Sequence, residues 1–312
     1  MLLVTTTTTT TVRANMPVTL TPRCAVVVTR IESSPNATRS DEPATSRPLA
    51  TTRRSLVVTS RFACEIRDVR FGDVTTIRTL ELQGTDPARW GEQHGESFRD
   101  DVRRIYEIRL GLTLGKTDLG SADNVLALAR HHLPVLEKFD AALFAELCGI
   151  ARGAGLTPEQ IVVVNHYTDL RDLRLGDLHA LEAKDPGGCS AVFVAEGKRR
   201  ILGQTWDMHG SAEPFALLLK IPSVGPSPKV NAAGVPKLGS TLCFTIAGCL
   251  GMTGLTSWGL GLTINNLNSL DATVGVVWPA LVRAALRAPS AQAARDVLLN
   301  APIGSGRHYI VA

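Results

Sequence analysis

The period of the residue pattern changes at Cys189, and that change limits the folds open to the chain. From Asp86 to Ile150 apolar residues recur at mixed three- and four-residue spacing: Trp90, His94, Phe98, Val102 and Ile105 to Leu112, then Leu136, Phe139, Leu143, Leu147 and Ile150. After Cys189 the chain breaks into short β-prone runs, Ser190 to Val194, Ile201 to Thr205, Ala216 to Ile221, Leu242 to Ala247 and Leu260 to Asn265, separated by Gly, Pro and Asn. Trp278 to Arg287 and Ala291 to Leu299 return to helix, and Tyr309-Ile310-Val311 opens another strand. Helices, then a sheet expected to be antiparallel, then helices give a layered α+β fold.

Boundary signals sharpen this reading. Val74 to Leu82 alternates like a strand and is broken by Gly84-Thr85-Asp86-Pro87, in which Asp86 caps a helix with Pro87 in its first turn. A second helix spans Ser121 to His132, and Leu133-Pro134 opens a third that Gly153 and Gly155 end. Thr157-Pro158-Glu159 starts a short helix leading into Ile161 to Asn165, after which polar residues run to Asp185-Pro186-Gly187-Gly188-Cys189. Residues 1 to 68, rich in Thr, Ser, Pro and Arg and without sustained period, are expected to be disordered. The organisation is therefore a 1–68 extension, a mainly helical 69–188 and a strand-rich 189–312, the last two forming one domain.

Composition narrows the function. With 44% apolar residues among 312 the chain can bury a sizeable core. A formal charge of +4 without a basic run interleaved with aromatics disfavours nucleic acid, and a small-molecule substrate is the better default. No apolar run reaches the roughly 18 residues of a membrane helix. Six cysteines, at 24, 64, 148, 189, 243 and 249, form neither C-x-x-C pairs nor a disulfide framework, which fits reduced thiols and a cytoplasmic setting. Nothing in the spacing calls for a metal or cofactor.

The chemistry centres on Gly187-Gly188-Cys189-Ser190. Two glycines let the backbone turn so that a thiol can fold back on the preceding carbonyl. Attack on Gly188 would move the acyl group from nitrogen to sulfur, and water would release a chain starting at Cys189. Its α-amine, titrating near ~7.7–8.0, could then serve the thiol as base. A Gly-Gly-Cys triplet by itself also fits an ordinary turn and an inert thiol. The context is Gly203-Gln204-Thr205-Trp206-Asp207, past a hairpin at Glu196-Gly197-Lys198, which brings the Asp207 carboxylate to the end of the neighbouring strand.

On these residues the chain resembles the autoproteolytic acyltransferases and hydrolases of peptidase family C45, typified by fungal isopenicillin N acyltransferase. The family's Gly-Gln-Asn-Trp-Asp motif stands here with Thr205 in place of Asn. Gln83-Gly84-Thr85, Gly91 to Gly95, Glu146 to Gly155, Gly259 to Leu267 and Gly306-Arg307-His308-Tyr309 extend the likeness over Thr79 to Ala312. The resemblance implies the four-layer αββα sandwich of the N-terminal nucleophile hydrolases, cleavage between Gly188 and Cys189, and two chains that stay associated. It also implies catalytic roles for Cys189, Asp207 and Asn265, the last at the oxyanion site; by its own pattern Asn265-Asn266 is a strand-ending turn. The substrate would be a small-molecule amide and the acyl acceptor water, an amine or a thiol. Relatives continue past residue 312 with a further asparagine and an arginine, so the printed chain is expected to be truncated at its C-terminus.

Other polar residues have plainer expected roles. His131-His132 is structural, His94 a packing or surface histidine and His308 the start of a strand; His209, two residues after Asp207, is either a pocket-mouth residue or, as is commoner, an exposed loop residue. Asp169 and Asp172 are expected to face solvent. Two rival readings stand beside the first: a non-catalytic remnant or binding protein, and a Cys-His hydrolase without self-cleavage that uses His209 or His308 as base.

Overall fold

The computed structural model describes residues 25–32, 77–174, 189–196, 199–223 and 239–312. The 1–68 stretch lies outside the described residues except for strand β1 (Ala25–Glu32), which pairs antiparallel with β4 (Arg199–Trp206). Strand β3 (Ala191–Glu196) lies on the other side of β4. A six-stranded sheet takes the order β2 (Arg78–Glu81), β5 (Ala216–Ser223), β6 (Gly239–Ile246), β7 (Thr253–Thr256), β8 (Gly261–Asn266), β9 (Arg307–Val311). All its neighbours are antiparallel except β2 and β5, which run parallel. The sheet is therefore mixed, because β2 arrives from the helical half rather than by a hairpin. Strand β7 carries Gly254 in a four-residue run too short to stand out in the sequence.

Eight α-helices are described: α1 (Pro87–Ser97), α2 (Arg99–Lys116), α3 (Ala122–Arg130), α4 (His132–Phe139), α5 (Ala141–Ala154), α6 (Pro158–Asp172), α7 (Trp278–Leu286) and α8 (Ala291–Asn300). The caps follow elementary chemistry. Asp86, Ser121, Asp140 and Ser290 each accept a backbone N–H of the first turn, and Thr157 with Gln160 forms a capping box. Two helices expected to be continuous are split, the first at Phe98 and the next at Asp140, where a new cap intervenes. Gly155 closes α5 in the left-handed conformation, φ +66°. α6 carries on through the polar stretch to Asp172, kinked at His166, and its residues from Ile161 onward are buried. Among the described residues no helix is long and apolar enough to cross a membrane.

α7 packs on β7 and β8, α8 on β9, and α6 bridges α2 and α3 to α7, so helices line the six-stranded sheet. β3 and β4 meet the same sheet at β8 and β9. The result is an α+β sandwich of helices and two sheets.

Two features fix the helical layer. α1 and α5 approach until their backbones touch: a Cβ on Gly91 would lie 2.0 Å from the Glu146 carbonyl oxygen, and one on Gly149 2.2 Å from that of Ala88. Gly95 and Gly153 repeat the contact one turn on. Beside this seam Glu146 and Arg283 form a buried two-nitrogen ion pair at 2.8 and 2.9 Å, and Arg283 also donates to the Leu250 carbonyl. Burial opposes the charge of Arg283, and Glu146 more than offsets it.

His94, 1% exposed, accepts the Gly248 N–H at Nε2 at 3.0 Å and must be neutral to do so. Burial, with the Arg283 charge, pushes its pKa down to about 3, and burial also lowers His132 and His166.

Gly91→Ala should therefore destabilise the protein by at least the ~1–3 kcal/mol of ordinary overpacking. Gly111→Ala, in the same helical layer with open space at its Cβ, should stabilise it by about 0.5–1 kcal/mol. Urea unfolding of both variants checks the contrast.

Acid should weaken the fold. Above pH ~6.5 the buried histidines are neutral in both folded and unfolded chains, so the full stability is present. As pH falls from there toward 3 the unfolded chain takes up protons that the folded His94 refuses. At pH 5 this costs about 2 kcal/mol for His94. Unfolding midpoints at pH 7 and pH 5 should differ accordingly, and His94→Gln should shrink the difference.

Candidate active site

The β3–β4 hairpin delivers the site. Its register pairs Ala191 with Gln204, so Cys189, just before β3, and Asp207, just after β4, end side by side. Thr205, the position that departs from the family motif, extends the ladder beyond β3. Its N–H donates to the Ser190 carbonyl at 2.8 Å and its hydroxyl accepts the Ser190 N–H at 2.8 Å. The backbone N–H of Asp207 points at the Cys189 sulfur, 3.4 Å away.

Gln204, 5% exposed, ties this hairpin to the large sheet. β7 pairs with β8 only at Gly254–Leu262 and Leu255–Gly261. Farther along β8 the Gln204 amide donates to the Ile264 carbonyl at 2.6 Å and accepts the Ile264 N–H at 3.0 Å, taking the part of a ladder neighbour. Asn265, the next residue, is thereby held under the nucleophile: its Nδ2 donates to the Cys189 carbonyl oxygen at 2.5 Å. His308, opposite Asn265 on β9, sets its Nδ1 3.2 Å from the Asn265 Oδ1 and fixes which end of the amide faces Cys189.

The three residues singled out as catalytic candidates thus converge, although 76 positions separate Cys189 from Asn265. Gly188, the other half of the expected cleavage site, lies outside the described residues. The thiol is half-buried. Burial pushes its pKa up, the Asp207 N–H pulls it back, and the Asp207 charge raises it again. It is therefore a protonated thiol.

Cys189 opens onto a pocket that it lines together with Asp207 and Gln204. Trp206, Phe244, Met252 and Ile264 give it apolar walls, with the Trp206 and Phe244 rings edge to face, 5.5 Å between centres. Arg109 and Arg307 supply its cationic lining.

Several polar residues stand elsewhere than expected. Asp169 and Asp172 are 1% and 2% exposed, not solvent-facing, because α6 continues through them into the core. Arg307 pairs with Asp169, donates to Thr168 at 3.0 Å and stacks over Trp278. Asp172 takes Arg171 at 2.7 Å and the Ser305 hydroxyl at 2.6 Å. Burial pushes the Asp169 carboxyl up and Arg307 counters it. His132 is structural as expected, 2.8 Å from the Gly275 carbonyl. His209 is half-buried rather than exposed, against Ser211 and the Tyr167 ring, and does not line the pocket. Arg109 went unnoticed in the sequence. Its one signal is position: seven residues after Val102, on the buried stripe of α2. No group of residues suited to a metal ion is present among the described residues.

No family model matches the chain. It is 26% identical over 189 residues to the acyl-coenzyme A:6-aminopenicillanic-acid-acyltransferase 40 kDa form of Emericella nidulans, a match covering 61% of this chain and 47% of that protein. The chain thus spans about half the length of this relative, whose name bears out the resemblance to family C45 read from the motifs.

Gln204→Leu keeps the side-chain volume but strands the N–H and carbonyl of Ile264. A stability loss of about 2 kcal/mol or more is expected in urea unfolding. The accompanying displacement of β4 from β8 should appear as changed amide shifts at Asn265.

Proposed function

We propose that this chain is an amidohydrolase or acyltransferase that first cuts itself between Gly188 and Cys189 and then works through a thioester on Cys189. The observation that carries this reading is the convergence of three residues: Cys189 and Asp207 line the pocket, and Asn265 hydrogen-bonds the Cys189 backbone from the neighbouring sheet. The acyltransferase name of the relative supports it.

In maturation the Cys189 sulfur adds to the Gly188 carbonyl carbon. The C–N bond breaks as the C–S bond forms, and the thiol proton passes to the departing nitrogen. Water then hydrolyses the thioester, leaving a Gly188 carboxylate and a Cys189 that carries both thiol and α-amine. Before the cut the thiol is held protonated by burial; after it, an amine of pKa near ~8 adjoins the sulfur and can take its proton.

In turnover that amine deprotonates the sulfur as it attacks the substrate amide, and then gives the proton to the leaving amine. The acyl thioester passes to water, another amine or a thiol. Asn265 Nδ2 is a donor for the oxyanion, and Asp207 steadies the charged α-amine. The two chains remain together because the Glu146–Arg283 pair and the α6–α7 contact join parts on either side of the cut. A Cys-His mechanism is less well supported: the sulfur is hydrogen-bonded by backbone groups, the Asp207 N–H among them, and His308 turns to Asn265.

Purified protein should contain two fragments by intact mass, the second beginning at Cys189. Cys189→Ala should remain one chain, and Cys189→Ser should mature slowly, because a hydroxyl is the weaker nucleophile. Asp207→Asn should lower amide turnover by about 10²-fold or more. A wild-type chain that stays whole on long incubation, or full activity in Asp207→Asn, contradicts the mechanism.

A further inference from the structure

The chemistry above leaves one pocket residue unused. Arg109 is 1% exposed, and a guanidinium at that depth ordinarily faces a carboxylate. Among the described residues the other arginines with buried side chains do so: Arg283 pairs with Glu146, Arg171 with Asp172 and Arg307 with Asp169. Arg109 has no carboxylate partner among the described residues. Its Nη1 donates to the Val164 carbonyl, its guanidinium carbon lies 4.8 Å from the centre of the Tyr167 ring, and its Nε, though buried, has no hydrogen-bond partner. It lines the same pocket as Cys189.

We propose that Arg109 is an anion subsite of this pocket, and that the substrate is an amide bearing a carboxylate which seats on Arg109 while its scissile carbonyl meets Cys189. The assignment of the carboxylate-bearing molecule as substrate rests on the acyl-transfer reading; the subsite itself does not. With Nη1 committed to Val164, the buried Nε is the donor left without a partner, and the guanidinium edge that carries it matches a carboxylate in geometry and charge. The Tyr167 face stabilises the cation in the meantime without neutralising it. Apolar walls at Trp206, Phe244, Met252 and Ile264 suit the uncharged remainder. A neutral ligand of the same shape would dry the pocket and leave the guanidinium unpaired, so the site should select by charge as well as by fit.

The probes are benzoylglycine and benzoylglycinamide, which differ only in the carboxylate. Binding is measured by calorimetry on the full chain carrying Cys189→Ala, where no chemistry intervenes, and hydrolysis is measured separately on the wild-type chain. The acid should bind tighter by about 10- to 100-fold. Arg109→Met in the same background should bring that ratio close to one. If Arg109→Met does not fold, Arg109→Lys, which keeps the charge but not the planar edge, should still reduce the ratio several-fold. Equal affinity for acid and amide, no binding of either at millimolar concentration, or a ratio that survives Arg109→Met or Arg109→Lys overturns the subsite. Charge-selective binding through Arg109 without wild-type turnover of any amide instead overturns the acyl-transfer reading and leaves the subsite standing.

Discussion

The Gln204 side chain holds the two sheets together at the place where the candidate site lies. Its amide occupies both the N–H and the carbonyl of Ile264, so a sliding of β4 along β8 by even one residue would strand a buried amide and two buried backbone groups. That cost fixes the register, and everything around the pocket inherits it. Cys189 and Asp207 belong to the small sheet and Asn265 and His308 to the large one, and their contacts exist only in this alignment. Five residues, Gly203 to Asp207, thus set the sheet alignment and supply one of the residues that uses it.

The helical layer solves a different problem. α1 and α5 carry glycines on their facing sides, and the resulting contact is between backbones, which leaves no freedom for either helix to shift. The same seam places Glu146 against Arg283, an ion pair whose desolvation cost is offset by two-nitrogen geometry and a further carbonyl contact. Since α5 precedes Cys189 and α7 follows it, the pair joins both halves of the chain. A break between the halves would leave these contacts intact.

Electrostatically the pocket is cationic at Arg109 and apolar at its aromatic wall, with the sulfur protonated between Asp207 and burial. Such a thiol differs from the low-pKa thiolates that depend on a neighbouring cation. In the proposed mechanism its activation comes from the α-amine of the same residue, which titrates near ~8 and adjoins the sulfur.

The sequence alone determined the element types and most of their boundaries, because apolar period, caps and turn residues act locally: Asp86, Ser121 and Thr157 cap helices, and the runs after Cys189 are strands. It also picked out Cys189, Asp207 and Asn265, through a hairpin spacing and a motif likeness. Only the tertiary structure decided that β2 runs parallel to β5, that α6 buries Asp169 and Asp172 instead of exposing them, and that Arg109 enters the pocket without a counter-charge among the described residues. These facts depend on which distant surfaces meet. A charged residue looks the same in a sequence whether water, a carboxylate from another helix or an empty pocket lies beside it, and the energy that distinguishes these cases is set by neighbours far away in the chain.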